Sequence, residues 1–203
     1  MTWIVIIITC LISVYSFNDI NLFLKLKFSP YLISKDREWY RFLTSGFVHA
    51  DWMHLFVNMF VLYSFGSELE RYMSFVFGIK YKFLYLIMYF TSIILPLYPS
   101  YRKNLKNPGY SSIGASGAVS AVVFACIIYN PLASFMIIFI PIRFPAFVFG
   151  ILYLIYSAYM SRKKIDNIGH DVHFWGSIYG VLFTIALKPK LFIYALNQIL
   201  SVF

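Results

Sequence analysis

The sequence predicts an all-α membrane protein that folds as a single bundle of six transmembrane helices. Its 203 residues are 61% hydrophobic and only 12% charged, whereas soluble domains carry about 25% charged residues. The charges separate long uncharged tracts, several of which approach the roughly 20 residues that a spanning helix needs. In chain order, these tracts cover residues 1–18, 52–67, 83–101, 107–142, 144–161 and 172–187.

Two of the tracts need interpretation before the helices can be counted. The first, residues 1–18, lacks the basic flank and the small-residue cleavage site of a secretory signal, so we expect it to remain as the first helix. Residues 107–142 are too many for one crossing, and Asn130 followed by Pro131 breaks the tract. We therefore expect a fourth helix near Ser116–Tyr129 and a hydrophobic connection after it.

A long first connection, residues 18–51, mixes apolar and charged side chains and is expected to be partly embedded in the membrane. Amphipathic aromatic rings favour the headgroup region. We therefore expect Trp39, Tyr40 and Trp52 at that level, with Arg41 beside them.

We expect a single domain over residues 1–203 with a core at 39–187, because the sequence contains no internal repeat and no low-complexity linker. Residues 191–203 form an uncharged hydrophobic tail that is too short to span and is expected to lie along the surface. Cys10 and Cys126 lie far apart inside apolar tracts, so we interpret them as packing residues.

The net charge of +9 does not indicate nucleic-acid binding, because the basic residues are spread over every loop. Anionic lipid headgroups explain this distribution better. We therefore expect the lipid bilayer as a partner and no nucleic acid.

Three polar clusters interrupt the apolar tracts, where each polar side chain needs a partner or a water-lined cavity. The first contains His49, His54 and Asn58, and the four-residue step from His54 to Asn58 places both on one helix face. The second is Gly-Ala-Ser-Gly at 114–117, and the third covers residues 170–180. Because the second, fourth and sixth helices run in the same direction, the clusters should lie near one membrane face.

Each cluster also has a purely structural interpretation. Gly-Ala-Ser-Gly is most often a small-residue surface for helix packing, and so is His173 with Gly176 and Gly180. His54 and Asn58 could simply bond across helices, which is worth about 0.6 kcal/mol in membranes. Taken together, however, the clusters provide a nucleophile, a base and two oxyanion donors, the groups that acyl transfer requires.

The positions of these groups suit that chemistry. Ser116 lies at a helix start, where free N–H groups and the positive dipole end favour an oxyanion, and His54 and Asn58 could donate to the same oxygen. His173 would take the serine proton, and partial burial would keep its imidazole neutral. Small residues, namely Gly117, Gly176 and Gly180, would let the two helix backbones approach closely.

Between Trp39 and about Gly180 the pattern resembles the rhomboid family of intramembrane serine proteases. The shared features are a tryptophan–arginine motif, two histidines and an asparagine, an acidic residue ending the second helix, Gly-x-Ser-Gly, and a histidine followed by two glycines. The matching positions are Trp39, Arg41, His49, His54, Asn58, Glu70, Gly114, Ser116, Gly117, His173, Gly176 and Gly180.

The resemblance implies a serine endopeptidase that uses a Ser-His dyad, with Ser116 as the nucleophile and His173 as the base. His54, Asn58 and Ser116 would form the oxyanion hole, and neither a metal nor a cofactor is expected. The implied substrates are single transmembrane helices that unwind near small residues. The implied location is the inner membrane of a bacterium, which the chain would cross several times.

Two positions depart from the family pattern. Ser120 stands one turn after the nucleophile, where many relatives carry tyrosine or phenylalanine that stacks on the histidine. We expect the His173 ring to be held instead by another aromatic, such as Phe174 or Trp175. His170 is a second candidate base on the same helix, although the glycine pattern favours His173.

The membrane orientation is subject to two conflicting arguments. With a cytoplasmic amino terminus, as in typical bacterial relatives, the outer loops carry more Lys and Arg than the inner segments. The positive-inside rule favours the reverse orientation. We expect the family orientation, because a first loop that packs on the bundle weakens charge counting.

Two other functions compete with proteolysis by serine. A noncatalytic rhomboid-like binder of transmembrane helices is the main alternative, although such relatives usually lack the serine or the histidine. A metal-dependent intramembrane protease is disfavoured, because the His-Glu-x-x-His signature is absent and Asp171 is the one acid beside a candidate ligand.

Overall fold

The structure of the protein is a computed structural model that describes residues 1–137, 140–163 and 168–203. Short 3₁₀ turns at Ser45–Phe47, Gly78–Lys80 and Leu95–Leu97 link some of its helices. The elements are α1 (Thr2–Phe17), α2 (Ile20–Leu26), α3 (Pro30–Asp36), α4 (Arg41–Thr44), α5 (Trp52–Phe77), α6 (Tyr81–Ile94), α7 (Tyr98–Lys103), α8 (Ser116–Tyr129), β1 (Ser134–Ile137), β2 (Ile140–Pro145), α9 (Ala146–Lys163), α10 (His170–Leu187) and α11 (Lys190–Leu200).

Each predicted tract overlaps one of the longer helices, namely α1, α5, α6, α8, α9 and α10. By length and composition, one continuous helical stretch in the described ranges, Trp52–Lys103, suffices to cross a membrane. A second candidate span results if α10 and α11, which are bent by 115° relative to each other, are counted together as one broken span. The number of six spans therefore stays a prediction, whereas the predicted fourth helix at Ser116–Tyr129 is confirmed.

The second long helix, α5, continues well past the predicted tract because its charged residues support one another. The Arg71 guanidinium pairs with the Glu68 carboxylate one turn earlier. Asp51 caps the start of the helix by accepting a hydrogen bond from the His54 N–H at 2.8 Å. The helix ends at Gly78, whose φ of +55° is unfavourable for other residues.

Helix α8 lies inside the bundle, with nearly every residue buried between α5, α6 and α10. Its contact with α10 is the closest in the fold. A Cβ added at Gly176 would lie 2.2 Å from the Gly117 carbonyl oxygen, and one at Gly180 would lie 2.1 Å from that of Ala121. Glycine at these positions therefore allows backbone to touch backbone, as the sequence predicted.

The first loop folds into α2, α3 and α4, and one of its two arginines, Arg41, is buried. Arg41 is only 4% exposed. Its guanidinium donates to the Leu24 and Lys27 carbonyls at 2.8 and 2.9 Å and to the Glu38 carboxylate at 2.5 Å. These acceptors satisfy the guanidinium inside the loop. The neighbouring aromatic side chains are exposed, namely Trp39, Tyr40 and Trp52, and the headgroup level expected for all four residues stays a prediction.

The first loop is also joined to the segment that leads into α8. Phe28 and Ser112 exchange two backbone hydrogen bonds, at 3.0 and 3.1 Å. The Gly114 N–H donates to the Ser45 carbonyl at 2.9 Å. The loop therefore forms part of the scaffold that holds the start of α8.

A small β-hairpin corrects the all-α prediction. Strands β1 and β2 pair antiparallel, with Ser134 opposite Pro145 and Phe135 opposite Phe144. This is the hydrophobic connection expected after Asn130, and its middle lies outside the described residues. Its prolines cannot donate the hydrogen bonds of a helix, whereas its aromatic and β-branched residues favour strands. The fold is therefore helical with one hairpin.

We predict that Gly180→Ala weakens the fold, because the new methyl group would meet the Ala121 backbone, which cannot move aside cheaply. Overpacking of this kind costs about 1–3 kcal/mol. Thermal unfolding in detergent should show a lower midpoint than the wild type. Gly109→Ala is the matched control, because a Cβ there would meet Asn107 Oδ1 at an ordinary 3.5 Å. Equal midpoints for the two variants would contradict the close helix contact.

Candidate active site

The residue that begins α8, Ser116, follows a tightly held turn. Gly114 has a φ of +101°, which glycine adopts readily and other residues rarely do. The Ala115 N–H donates to His49 Nε2 at 3.3 Å. The start of α8 is therefore held by hydrogen bonds to the first loop, at Ser45 and at His49.

The glycine at this turn also brings the first two polar clusters together. A Cβ on Gly114 would lie 2.8 Å from His54 Nε2 and 3.7 Å from the His49 ring. The two imidazoles contact each other edge to face, with ring centroids 4.9 Å apart. The structure therefore gathers His49 and His54 beside the Gly-Ala-Ser-Gly turn.

The hydrogen bonds of His49 define one neutral tautomer. The Ser13 hydroxyl donates to the Phe47 carbonyl at 2.8 Å, so its oxygen accepts from His49 Nδ1, also at 2.8 Å. Nε2 is then the unprotonated nitrogen that accepts from Ala115. Burial lowers the pKa of His49 to about 3, with repulsion from His54 as a smaller cause. The ring therefore stays neutral at physiological pH and links α1 to the turn before Ser116.

The other two members of the first cluster, His54 and Asn58, lie one turn apart on α5. The Ala50 N–H points to His54 Nδ1 at 3.5 Å, the long limit of a hydrogen bond, which favours a proton on Nε2. The Asn58 amide donates to the His54 carbonyl at 2.9 Å. An amide carries two N–H groups, so Asn58 has a second donor to offer.

The third cluster meets the second where α10 crosses α8. A Cβ on Gly117 would lie 2.7 Å from Val172 Cγ1, and Gly176 touches the Gly117 backbone. Ser116 precedes Gly117, and His173 lies one turn before Gly176. The two residues therefore lie next to one crossing.

An aromatic residue missed in the sequence lies against His173. The Tyr153 ring on α9 stacks on the imidazole, with centroids 6.4 Å apart and planes at 22°. Its hydroxyl lies 3.1 Å from Ser120 Oγ. Another aromatic does face His173, as expected, but it is Tyr153 rather than the suggested Phe174 or Trp175, whose rings contact each other. The one sequence signal for Tyr153 was the small residue at position 120, and nothing in it indicates which helix supplies the ring.

The second candidate base, His170, is more deeply placed than His173. It is 4% exposed and meets Tyr156 edge to face at a centroid distance of 5.5 Å. Its neighbour Asp171 accepts a hydrogen bond from the Ser100 hydroxyl, which ties the start of α10 to α7. These contacts indicate that the first turn of α10 is anchored on both sides.

Glu70 is the one family-matching residue far from the clusters. It accepts hydrogen bonds from the Thr2 N–H at 2.6 Å and from the Met1 amine at 2.7 Å. It lies about 24 Å along α5 from His54. Its contacts therefore link α1 to α5 at the other end of the bundle.

A cavity of about 440 Å³ opens beside the first turns of α10. It is lined by Pro99, Lys103, Ser161, Arg162, Asp171 and Trp175.

In the part of the chain that the structure describes, no group of three or more His, Cys, Asp or Glu side chains is arranged to hold a metal ion.

Comparison with known proteins identifies the family of the chain. Residues 36–190 match the model of the Rhomboid domain, a range that contains all three polar clusters. A 43-residue segment is 46% identical to Rhomboid-like protein 11, chloroplastic, of Arabidopsis thaliana, and covers 21% of this chain. The match spans only 15% of that relative's length. Because the domain match extends over most of its sequence, the chain belongs to the rhomboid family of integral membrane proteins.

Proposed function

We propose that the protein is a serine endopeptidase that cleaves transmembrane helices of other membrane proteins. The observation that carries the proposal is the crossing of α8 and α10 at Gly117 and Gly176, because Ser116 precedes Gly117 and His173 lies one turn before Gly176. Membership in the rhomboid family supports the same conclusion.

In the proposed reaction the Ser116 hydroxyl oxygen attacks the scissile carbonyl carbon while His173 accepts its proton. Collapse of the tetrahedral intermediate breaks the C–N bond, and His173 returns the proton to the leaving amine. Water then attacks the acyl-enzyme with His173 again as the base, which releases the carboxylate product and restores the serine.

The oxyanion would be stabilised by three donors at the start of α8. The Ser116 N–H belongs to the first helical turn, where backbone donors have no partner within the helix and the dipole is positive. His54 Nε2–H lies beside Gly114, and Asn58 has its second amide N–H. Donors fixed before the reaction in a site of low dielectric are the most effective form of such stabilisation.

The length of α8 bears on where this chemistry would occur. Its 14 residues span about 21 Å, which is shorter than the hydrocarbon core of about 30 Å. With its carboxyl end at one interface, Ser116 would lie below the opposite surface.

The substrate and the compartment are parts of the proposal. Single transmembrane helices with small residues near their ends are the expected substrates. The bacterial inner membrane and the family orientation stay predictions, and Rhomboid-like protein 11 of Arabidopsis thaliana is by its name a chloroplast protein. The noncatalytic binder is distinguished from the protease by the first of the following predictions.

We predict that Ser116→Ala and His173→Ala each abolish cleavage of a designed transmembrane substrate in proteoliposomes. Loss of the nucleophile should also abolish labelling by a fluorophosphonate probe. Ser111→Ala, an exposed serine five residues earlier, is the matched control and should cleave normally.

Four results would contradict this assignment. Activity that survives in Ser116→Ala rejects the nucleophile, and loss in His170→Ala with full activity in His173→Ala assigns the base to His170. A folded wild-type protein that neither cleaves nor reacts with the probe is the noncatalytic binder. Sensitivity to chelators would favour a metal-dependent protease.

We predict that His54→Ala and Asn58→Ala each lower kcat by about 10², the usual cost of losing one oxyanion donor. KM should change little, because these donors act on charge that develops in the transition state. Ser64→Ala, on the exposed face of the same helix, should behave as the wild type. Unchanged kcat in both test variants would make the two residues structural.

A further inference from the structure

We infer that Tyr153 positions the catalytic base, so that a ring on α9 sets the direction in which His173 faces. This inference rests on the proposed function and adds a residue to it. Tyr153 lies 20 positions before His173 on the preceding helix, and no local motif connects the two.

The ring pair has the geometry of an offset stack. The centroid separation of 6.4 Å lies within the 4.5–7 Å range of aromatic pairs, and the planes are tilted by only 22°. A flat surface against one face of an imidazole allows the ring to slide but resists rotation of its plane. The contact therefore limits the directions in which the His173 nitrogens can point.

Tyr153 is itself held from several sides. Its hydroxyl meets Ser120 Oγ at 3.1 Å, its ring stacks on Phe149 at 5.6 Å, and Phe124 packs at 5.9 Å. Ser120 and Phe124 are one turn apart on α8, while Phe149 is one turn away on α9. A ring fixed by partners on two helices is a suitable surface for orienting a third group.

The sizes of Ser120 and Tyr153 are complementary. Because Ser120 Oγ already contacts the tyrosine hydroxyl, a large side chain at position 120 would enter the space that Tyr153 fills. Tyr153 of α9 therefore supplies the aromatic ring that contacts both Ser120 on α8 and His173 on α10.

This arrangement makes the position of α9 part of the catalytic geometry. Proton transfer requires Ser116 Oγ and a His173 nitrogen at about 2.6–3.2 Å, and a misplacement of 1 Å can cost about 10²-fold. Tyr153 contacts α8 through Ser120 and α10 through His173. Through these two contacts, the seating of α9 against both helices contributes to the orientation of the base.

The first test separates the ring from its hydroxyl. Tyr153→Phe keeps the stack and should retain kcat within about threefold, whereas Tyr153→Leu should lower kcat by about 10- to 100-fold with little change in KM. Tyr159→Leu is the matched control, because that side chain is 56% exposed and contacts Lys163. Wild-type kcat in Tyr153→Leu, or an equal loss in Tyr153→Phe, would overturn the inference.

The second test moves the ring to α8. Tyr153→Ala and Ser120→Tyr should each lower kcat, the first by removing the ring and the second by clashing with it. The double variant places one ring in the same space and should recover at least about tenfold over the worse single variant. A double variant no better than that single variant would contradict the complementarity, and thermal unfolding identifies any variant that has simply lost its fold.

A third measurement does not depend on catalysis. Diethyl pyrocarbonate acylates exposed imidazole nitrogens, and mass spectrometry can follow the reaction at His173. The rate should rise in Tyr153→Leu but not in Tyr153→Phe, and equal rates would show that the stack does not cover the ring. A wild-type protein without cleavage would reject the proposed function, while the acylation rates would still decide whether Tyr153 holds His173.

Discussion

The direct contact between the backbones of α8 and α10 is the constraint on which the site depends. Any side chain at Gly176 or Gly180 would enter the space of a carbonyl oxygen on α8. Apolar side chains gain little by leaving lipid for a helix interface, so membrane helices associate largely through close packing of small residues. The two helices that carry the proposed nucleophile and base are therefore the pair with the least freedom to separate.

The start of α8 is held on its other side by polar contacts. Backbone pairing between Phe28 and Ser112 and the ring of His49 connect it to the first loop and to α1. Because burial keeps His49 neutral, one ring nitrogen can accept from the turn while the other donates to Ser13. With the backbone of α8 held on both sides, side-chain rotation is the remaining freedom at the site. A tyrosine that stacks on His173 limits that rotation in the proposed mechanism.

Much of the helical framework and of the polar clusters was predictable, because these features follow from local patterns. Uncharged tracts located the longer helices, and glycine spacing indicated the close crossing. The features that local patterns did not indicate share a different cause. Arg41 is buried because acceptors at Leu24 and Lys27 surround it, and Tyr153 reaches His173 from another helix. Neither contact leaves a periodic signal, because each partner lies in a separate segment of the chain.

Composition and spacing were sufficient to identify a helical membrane protein and the polar clusters on which the proposed acyl transfer rests, since hydrophobicity and helical period act over neighbouring residues. The choice of the ring that faces His173, the burial of Arg41 and the pairing of β1 with β2 were settled by three-dimensional packing. Such contacts join residues that are distant in sequence. They depend on which side chains meet once the helices have packed, and a linear pattern does not encode that information.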